Sequence, residues 1–246
     1  MLIHKEVSAE IAFLTSSPGL KDGTLNPANG VVDALRAALP GPCRALFVCS
    51  DPDSFDRKDF YVGELRRSFE RSGFRFSEYR VLDRRNPGAA KALLGKSDFV
   101  ILAGGHVPTQ NRFFAEIGLR ALLARYGGAL MGISAGTMNS AEEVYAQPEL
   151  PGEAADPLYA RFLPGLGLTE TVIVPHYQDW KDDCLDGLRL VEDITLPDSA
   201  GRRFYLLPDG SYLYIRDGRE ELRGEAWRAE DGRLAQVSAE GGAIVP

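Results

Sequence analysis

Ala129-Leu-Met-Gly-Ile-Ser-Ala-Gly-Thr-Met-Asn139 joins an apolar run to a segment compatible with a helix. Its centre has the spacing Gly-x-Ser-x-Gly, which is typical of a nucleophile elbow, a sharp turn between a strand and a helix that exposes the serine hydroxyl. We expect Gly132 and Gly136 to be required there, because a Cβ at either position would clash with neighbouring backbone. We therefore predict that Ser134 is a nucleophile. The alternative is an ordinary strand-to-helix turn that happens to contain serine.

Length and composition are those of an ordinary globular protein. The chain has 246 residues, of which 44% are hydrophobic and 26% charged, and its formal net charge is −7. This acidic balance without a long basic run argues against nucleic-acid binding. No apolar stretch approaches the roughly 20 residues that span a bilayer, which argues against a membrane protein. The first ten residues lack the apolar core of a secretory signal, so we expect a cytoplasmic protein.

The cysteine content and the absence of repeats or linkers in the sequence add further expectations. Cys43, Cys49 and Cys184 are few and contain no C-x-x-C pair, which argues against a disulfide framework or a zinc ribbon. We also expect neither a metal nor another cofactor. No repeat and no linker interrupts the pattern, so we expect a single α/β domain over residues 1–246.

Short apolar runs alternate with segments of helical pattern through most of the chain. Strands are predicted at residues 11–15, 45–49, 76–82, 99–103, 129–133, 171–174 and 204–207, and helices at 31–39, 61–71, 87–94, 108–126 and 185–191. Such alternation is typical of βαβ units and predicts a three-layer, doubly wound, mostly parallel sheet. Turn signals after residue 207 predict C-terminal antiparallel hairpins.

Two candidate groups follow consecutive predicted strands. Ligands of open parallel sheets bind beyond the carboxyl ends of the strands. Gly104 and Gly105 follow one predicted strand and Ser134 follows the next, so we expect them to line one crevice. The N–H groups of Ala135 and of Gly104 or Gly105 are then candidates for an oxyanion hole, which needs two donors. A tight turn is the alternative for the glycine pair, and no sequence typical of nucleotide binding follows it.

A serine nucleophile needs a base to accept its proton. The chain has three histidines, and His4 lies close to the N-terminus. His106 and His176 both follow predicted strands, at the edge where Ser134 is expected. We assign His176 as the base, the alternative being a loop histidine bonded to backbone. For His106, substrate contact and a purely structural role are equally supported.

The base needs a third group to orient it, and Asp209 follows an apolar strand within Pro208-Asp-Gly210. Its alternative role is turn chemistry, since Asp-Gly is a common turn pair. Its rivals for the third position are Asp179, Glu142 and Glu143. The resulting chain order is Ser, His, Asp, whereas α/β-hydrolases have the order Ser, Asp, His. We therefore place this elbow outside that superfamily.

Four segments appear in the same order as in the peptidase E family, which the sequence therefore resembles. They are Gly132-Ile-Ser-Ala-Gly136 with Asn139, Leu102-Ala-Gly-Gly105, Pro175-His-Tyr177, and Leu207-Pro-Asp-Gly210 followed by a hairpin. Members of that family are serine dipeptidases (aspartyl dipeptidases) with a class I glutamine amidotransferase-like fold, and cyanophycinases are relatives. The resemblance covers residues 12–234. It implies a triad of Ser134, His176 and Asp209, with an oxyanion hole formed by Ala135 and one glycine of the pair, which we take to be Gly105.

Two departures from the family pattern bear on the substrate. The family's Gly-Gly-Asn-Thr-Phe segment is replaced by Gly104-Gly-His-Val-Pro-Thr-Gln-Asn-Arg-Phe-Phe114. Substrate binding is therefore assigned to Gly104, His106, Gln110, Asn111 and Arg112. For Arg112, which could bind a carboxylate, a solvated arginine at a helix start is the better-supported alternative. The family also uses an Arg after the histidine strand to hold an aspartyl side chain, but residues 178–187 contain no Arg, and Arg189 is the first. Strict preference for an N-terminal Asp is therefore not expected.

The sequence predicts a metal-independent serine peptidase that acts on short peptides, as a monomer or homodimer, without nucleic-acid or membrane partners. A cyanophycinase-like enzyme or another amide or ester hydrolase is the first alternative, with Gln110 and Arg112 contacting a branched or non-peptide substrate. A non-catalytic binding module that keeps the crevice is the second.

Overall fold

A computed structural model describes residues 11–246, so His4 lies outside the described residues. Its strands are β1 (Ile11–Thr15), β2 (Cys43–Val48), β3 (Phe76–Leu82), β4 (Phe99–Leu102), β5 (Ala129–Ile133), β6 (Glu143–Tyr145), β7 (Phe162–Pro164), β8 (Val172–Val174), β9 (Cys184–Leu185), β10 (Leu188–Arg189), β11 (Arg203–Leu206), β12 (Tyr212–Arg216), β13 (Arg219–Arg223), β14 (Ala226–Glu230), β15 (Arg233–Ser238) and β16 (Ala243–Ile244).

The α-helices are α1 (Val31–Ala38), α2 (Phe55–Arg71), α3 (Ala90–Leu94), α4 (Val107–Glu116), α5 (Leu119–Leu123), α6 (Ala135–Met138), α7 (Tyr177–Trp180) and α8 (Leu196–Asp198). Short 3₁₀ turns occupy Ala28–Gly30 and Pro87–Ala89, and a π-helical turn occupies Leu190–Thr195. Between residues 11 and 246, no helix combines the length and the hydropathy that a membrane span requires.

The largest sheet has eight strands in the order β16-β13-β12-β1-β5-β4-β2-β3. Strands β1, β5, β4, β2 and β3 pair in parallel, and β12, β13 and β16 extend the sheet antiparallel beyond β1. Every residue of β4 and β5 is buried, as expected for parallel strands that are covered on both faces. The α/β fold with a mostly parallel sheet and C-terminal antiparallel strands is therefore confirmed.

A second, four-stranded sheet has the order β15-β14-β11-β8 and its own apolar cluster. In this cluster Tyr145 of β6 stacks on Phe204 of β11, with ring centroids 4.5 Å apart. The residues predicted to follow strands near the main crevice, His176 and Asp209, follow β8 and β11 of this second sheet. The expectation that one sheet edge carries all the site residues is therefore wrong. Hydrophobic periodicity and segment length predict a short strand, but they do not reveal which sheet it joins.

The chain crosses directly from the second sheet to the main one between β11 and β12. Asp209 lies in this short connection, and the N–H of Ser16, at the end of β1, donates to the Ser211 carbonyl oxygen at 3.2 Å. The N–H of Leu207 donates to the Val174 carbonyl oxygen at 2.9 Å, so the ends of β8 and β11 stay together. The two sheets therefore meet at the carboxyl ends of β1, β8 and β11.

Two predicted helices are interrupted or replaced in the structure. The helix expected over residues 108–126 is interrupted at Gly118, whose φ of 63° is left-handed, and becomes α4 and α5. The helix expected over residues 185–191 is wrong, because β9 and β10 form a hairpin around Asp186 and Gly187, whose φ values are 53° and 82°. An Asp-Gly pair is a strong hairpin signal, and it outweighs the weak helical pattern around it.

Candidate active site

Ser134 occupies a strained turn between β5 and α6, with φ 49° and ψ −112°. Non-glycine residues adopt such a conformation only where the surroundings impose it. A Cβ at Gly132 would lie 3.0 Å from the Thr137 backbone, and one at Gly136 would lie 2.7 Å from the Leu102 carbonyl carbon. Both glycines are therefore needed for close packing, as predicted from the spacing.

His176 follows β8 and has a left-handed backbone, with φ 55° and ψ 33°. Its Nε2 lies 2.9 Å from Ser134 Oγ, and its Nδ1 lies 2.8 Å from Asp209 Oδ1. The Trp180 ring and the imidazole pack in a T-shaped arrangement, with 5.8 Å between their centroids. The structure thus brings Ser134, His176 and Asp209 into one hydrogen-bonded row.

The Asp209 carboxylate lies in an environment that favours its charged form. Burial by itself would raise the pKa of Asp209, but hydrogen bonds from His176 and Ser16, together with the nearby imidazole, outweigh it and hold the pKa below its usual range. The Asp209 N–H also donates to Gln178 Oε1 at 2.9 Å, which fixes the backbone of the connection. Asp209 is therefore placed, in its charged form, to accept a hydrogen bond from the Nδ1–H of His176.

The rival acids have other partners. Glu142 accepts from Arg120 at 2.6 Å, and Glu143 accepts from Arg202 at 3.1 Å. Asp179 is exposed, and its carboxylate accepts from the neighbouring Gln178 side chain at 2.9 Å. None of the three carboxylates takes the place of Asp209 beside the imidazole.

One group of three potential metal ligands occurs within residues 11–246, and it coincides with this site. It comprises His176, Asp179 and Asp209, with ligand atoms within 4.8 Å of one another. Both ring nitrogens of His176 are already engaged, by Ser134 and by Asp209. An ion at this position would have to displace one of those two partners.

The glycine pair after β4 lies beside the serine. A Cβ at Gly104 would lie 3.4 Å from Ser134 Cβ. Gly105 has a φ of 150°, and a Cβ there would lie 2.6 Å from Ser50 Cβ. Within residues 11–246, neither the Gly105 N–H nor the Ala135 N–H donates a hydrogen bond. Two backbone donors near Ser134 therefore remain available to a bound group.

His106 and Arg112 were both predicted to contact substrate, and the structure places them differently. His106 precedes α4, with Nδ1 2.8 Å from Thr109 Oγ1 and Nε2 2.8 Å from Glu153 Oε1. It therefore joins α4 to the loop between β6 and β7. Arg112 lies exposed on α4.

Gln110 and Asn111 belong to a network of amide side chains. Gln110 is fully buried, and its Nε2 donates to the Ala103 carbonyl oxygen at 2.7 Å. Asn139 Nδ2 donates to Gln110 Oε1 at 3.0 Å, and Asn111 Nδ2 donates to Asn139 Oδ1 at 2.9 Å. Its burial leaves Gln110 no surface for a substrate, and its amide supports the backbone that leads into the glycine pair.

Ser16 is a site residue that the sequence reasoning missed. Its hydroxyl donates to Asp209 Oδ1 at 2.7 Å and accepts the His176 N–H at 2.8 Å. A signal was available, because Ser16 follows a predicted strand just as Gly104 and Ser134 do. The pairing of β1 with β5, which brings that strand end to Ser134, is not apparent from periodicity.

The fold and this row of side chains place the chain in one class of protein. Its members are α/β proteins in which a serine at a strand-to-helix turn is hydrogen-bonded to a histidine, and the histidine to an aspartate. The model of peptidase family S51 matches residues 13–223. The chain therefore belongs to peptidase family S51 and is a serine-type peptidase, which confirms the resemblance found in the sequence. No curated protein matches the chain.

Two solved structures are similar in fold. A peptidase from an acI-B1 Actinobacterium has a TM-score of 0.64 at 16% identity, and the match covers 96% of each chain. A putative peptidase E protein from Listeria monocytogenes EGD-e has a TM-score of 0.59 at 18% identity, over 93% of this chain and 99% of that one. At such low identity the likeness concerns the fold.

Proposed function

We propose that the protein hydrolyses short peptides through a triad of Ser134, His176 and Asp209. The observation that carries this proposal is the position of the His176 ring, whose Nε2 lies 2.9 Å from the Ser134 hydroxyl while Nδ1 lies 2.8 Å from Asp209. Such a ring has one nitrogen free of its proton to accept the serine proton, and the other held by a carboxylate.

The proposed reaction has two halves. Ser134 Oγ attacks the peptide carbonyl while its proton passes to His176 Nε2, and the imidazolium then protonates the departing amine. Water attacks the resulting acyl ester in the same way, which regenerates the hydroxyl and releases the acid. Asp209 keeps the Nδ1 proton directed toward itself throughout, so that Nε2 stays available.

The negative oxygen that develops on the carbonyl needs donors that are already in place. The N–H groups of Gly105 and Ala135 have no other acceptor within residues 11–246. Ala135 directly follows the serine, and Gly105 directly follows Gly104, where a Cβ would lie 3.4 Å from Ser134 Cβ. We assign them to the oxyanion hole. In serine peptidases the loss of one such donor costs ~3–4 kcal/mol of transition-state stabilisation.

The substrate class rests on the resemblance to dipeptidases and on the arginine that follows His176 in the chain. Arg189, the first arginine after His176, is paired with Asp193 at 2.7 Å, which argues against its use as the family's aspartyl-binding arginine. We therefore propose a dipeptidase-like enzyme that accepts N-terminal residues other than Asp.

The test compares Ser134→Ala and His176→Ala with wild type on a panel of dipeptides and tripeptides. Ser140→Ala is the matched control, because it removes a buried hydroxyl that donates to the Gly136 carbonyl oxygen. We expect hydrolysis by wild type and the control only, with native circular dichroism in all four proteins. Undiminished turnover in either site variant would exclude the mechanism.

Labelling with a fluorophosphonate, read by mass spectrometry of the intact protein, separates the remaining alternatives. If wild type is labelled and Ser134→Ala is not, but no peptide is hydrolysed, then Ser134 is a nucleophile whose substrate is another amide or an ester. A failure of Ser134 to label would favour a binding module that lacks the chemistry.

A further inference from the structure

One buried serine contacts all three members of the proposed triad. We propose that Ser16 is a positioning residue that aligns Asp209 and His176 for proton transfer, an inference that rests on the proposed function. Its hydroxyl donates to Asp209 Oδ1 at 2.7 Å and accepts the His176 N–H at 2.8 Å. Its carbonyl oxygen accepts the Ser134 N–H at 3.1 Å.

The Ser16 hydroxyl has little freedom to do anything else. Ser16 is fully buried, and a hydroxyl has a single proton to donate, which is directed at Asp209. The oxygen that receives it, Oδ1, is the same atom that lies 2.8 Å from His176 Nδ1. The Ser16 bond therefore fixes the carboxylate oxygen on which the orientation of the imidazole depends.

The second Ser16 bond acts on the backbone of His176. That residue has a left-handed φ of 55°, which is unfavourable for a residue with a Cβ and must be imposed by neighbours. Its N–H points to Ser16 Oγ at 2.8 Å, and the next N–H, of Tyr177, donates to the Leu207 carbonyl oxygen at 3.2 Å. Without the Ser16 hydroxyl, the strained turn that aims the imidazole would lose one of these two bonds.

Ser16 is itself held where the two sheets meet. Its N–H donates to the Ser211 carbonyl oxygen at 3.2 Å, just after the connection that carries Asp209. Because β1 pairs with β5, the same residue also lies next to the elbow. One residue thus fixes the relative positions of a nucleophile from the main sheet and a base and acid that follow strands of the second sheet.

The kinetic test compares Ser16→Ala with Ser140→Ala, the control that removes an equally buried hydroxyl outside the triad. We expect kcat for a dipeptide to fall about 10–100-fold in Ser16→Ala, since a hydrogen bond to a charged group is lost, while KM changes less than about threefold. Ser140→Ala should retain wild-type kcat. Equal kcat in these two variants would overturn the proposal.

Combining Ser16→Ala with Asp209→Asn tests whether Ser16 acts through the carboxylate. If it does, Ser16→Ala should slow the Asp209→Asn enzyme far less than it slows wild type. The same fold-loss in both backgrounds would show independent effects and would overturn the positioning role. Ser16→Cys, which fills nearly the same space with a weak donor, provides a second variant if the alanine variant does not fold.

A readout without substrate separates this inference from the proposed function. We expect a low-field proton resonance from His176 Nδ1, identified by its loss in His176→Ala, in wild type and in Ser140→Ala. The resonance should broaden or shift in Ser16→Ala. An unchanged resonance overturns the Ser16 proposal, whereas a changed one in a protein that cleaves no peptide overturns the proposed function and leaves the positioning role supported.

Discussion

The imidazole Nε2 of His106 lies 2.8 Å from Oε1 of Glu153 and thereby joins the segment after β4 to the loop between β6 and β7. The other carboxylate oxygen of Glu153 accepts two backbone N–H groups of its own loop, at 2.9 and 3.0 Å. Farther along, Asp186 in the β9–β10 turn accepts two more N–H groups from this loop at 2.9–3.0 Å. The loop is therefore attached to the segment after the glycine pair and to the segment after His176.

Removing the Glu153 carboxylate should loosen this loop. We expect Glu153→Ala to speed hydrogen–deuterium exchange at residues 147–156 at least about tenfold, because three hydrogen bonds that hold the segment are lost together. The exposed Glu240 offers a control, since Glu240→Ala should leave exchange in that segment unchanged. Identical exchange in both variants would mean that packing alone holds the loop.

Glu149, in the same loop, should make the stability of the fold depend on pH. Burial and the nearby Glu153 raise the pKa of Glu149 from 4.5 to about 8. Between these values the unfolded chain has lost the proton that the folded protein still holds, so the stabilising contribution of the protonated form is lost as the pH rises toward 8. The glutamine in Glu149→Gln does not titrate, so the stability of this variant relative to wild type should increase as the pH rises through this interval.

Thermal unfolding at pH 5, 7 and 9 measures this effect. We expect the Tm of Glu149→Gln minus that of wild type to increase by about 3 °C or more from pH 5 to pH 9. Glu240→Gln should show a constant difference. A Glu149→Gln difference that stays flat, or that falls as the pH rises, would contradict a protonated Glu149 in the folded protein.

Part of the site follows from a simple rule about strand ends. The carboxyl ends of β4 and β5 are adjacent because these strands pair, so Gly104 and Ser134 could be placed together from the sequence. His176 and Asp209 were found because each follows an apolar strand. The second sheet was not foreseen, because hydrophobic period identifies strands without identifying their partners.

The burial of Gln110 and the contacts of Ser16 were not predicted, for specific physical reasons. Gln110 shares the spacing of the buried residues of α4, which are Val107, Gln110, Phe113 and Phe114. Helical phase therefore predicts its burial, but the resemblance to a cleft segment outweighed that signal. Ser16 follows a predicted strand, but its hydrogen bonds to Asp209 and His176 depend on the contact between two sheets, which the sequence pattern does not reveal. The single domain, the class I glutamine amidotransferase-like fold, the cytoplasmic location and the oligomeric state remain predictions.

A substitution of the buried Gln110 can distinguish a structural role of its amide from a role in substrate binding. Gln110→Ala would leave the Ala103 carbonyl oxygen without its side-chain partner, so we expect a loss of ~1–3 kcal/mol in the free energy of unfolding, measured in urea. Arg112→Ala, an exposed change on the same helix, should cost less than about 0.5 kcal/mol. Unchanged stability with a raised KM in Gln110→Ala would support the original assignment to substrate binding.

Two parallel substitutions, at Asp209 and at Asp179, test which carboxylate orients His176. Asp209→Asn keeps the shape but no longer holds the Nδ1 proton in place, so we expect kcat to fall ~10²–10⁴-fold. Asp179→Asn alters a neighbouring exposed carboxylate and should change kcat less than about threefold. Circular dichroism of both variants should be native. A larger loss in Asp179→Asn than in Asp209→Asn would transfer the role to Asp179.

Gly105 provides the sharpest test of the oxyanion hole. A Cβ there would lie 2.6 Å from Ser50 Cβ and closer still to the Ser50 hydroxyl, at a φ of 150° that disfavours any side chain. Gly105→Ala should therefore displace the N–H donor and lower kcat ~10²–10³-fold with little change in KM. Gly127→Ala, at an open position, is the control. Adding Ser50→Gly removes both clashing atoms and should restore part of kcat. Wild-type kcat in Gly105→Ala would mean that another donor holds the oxyanion.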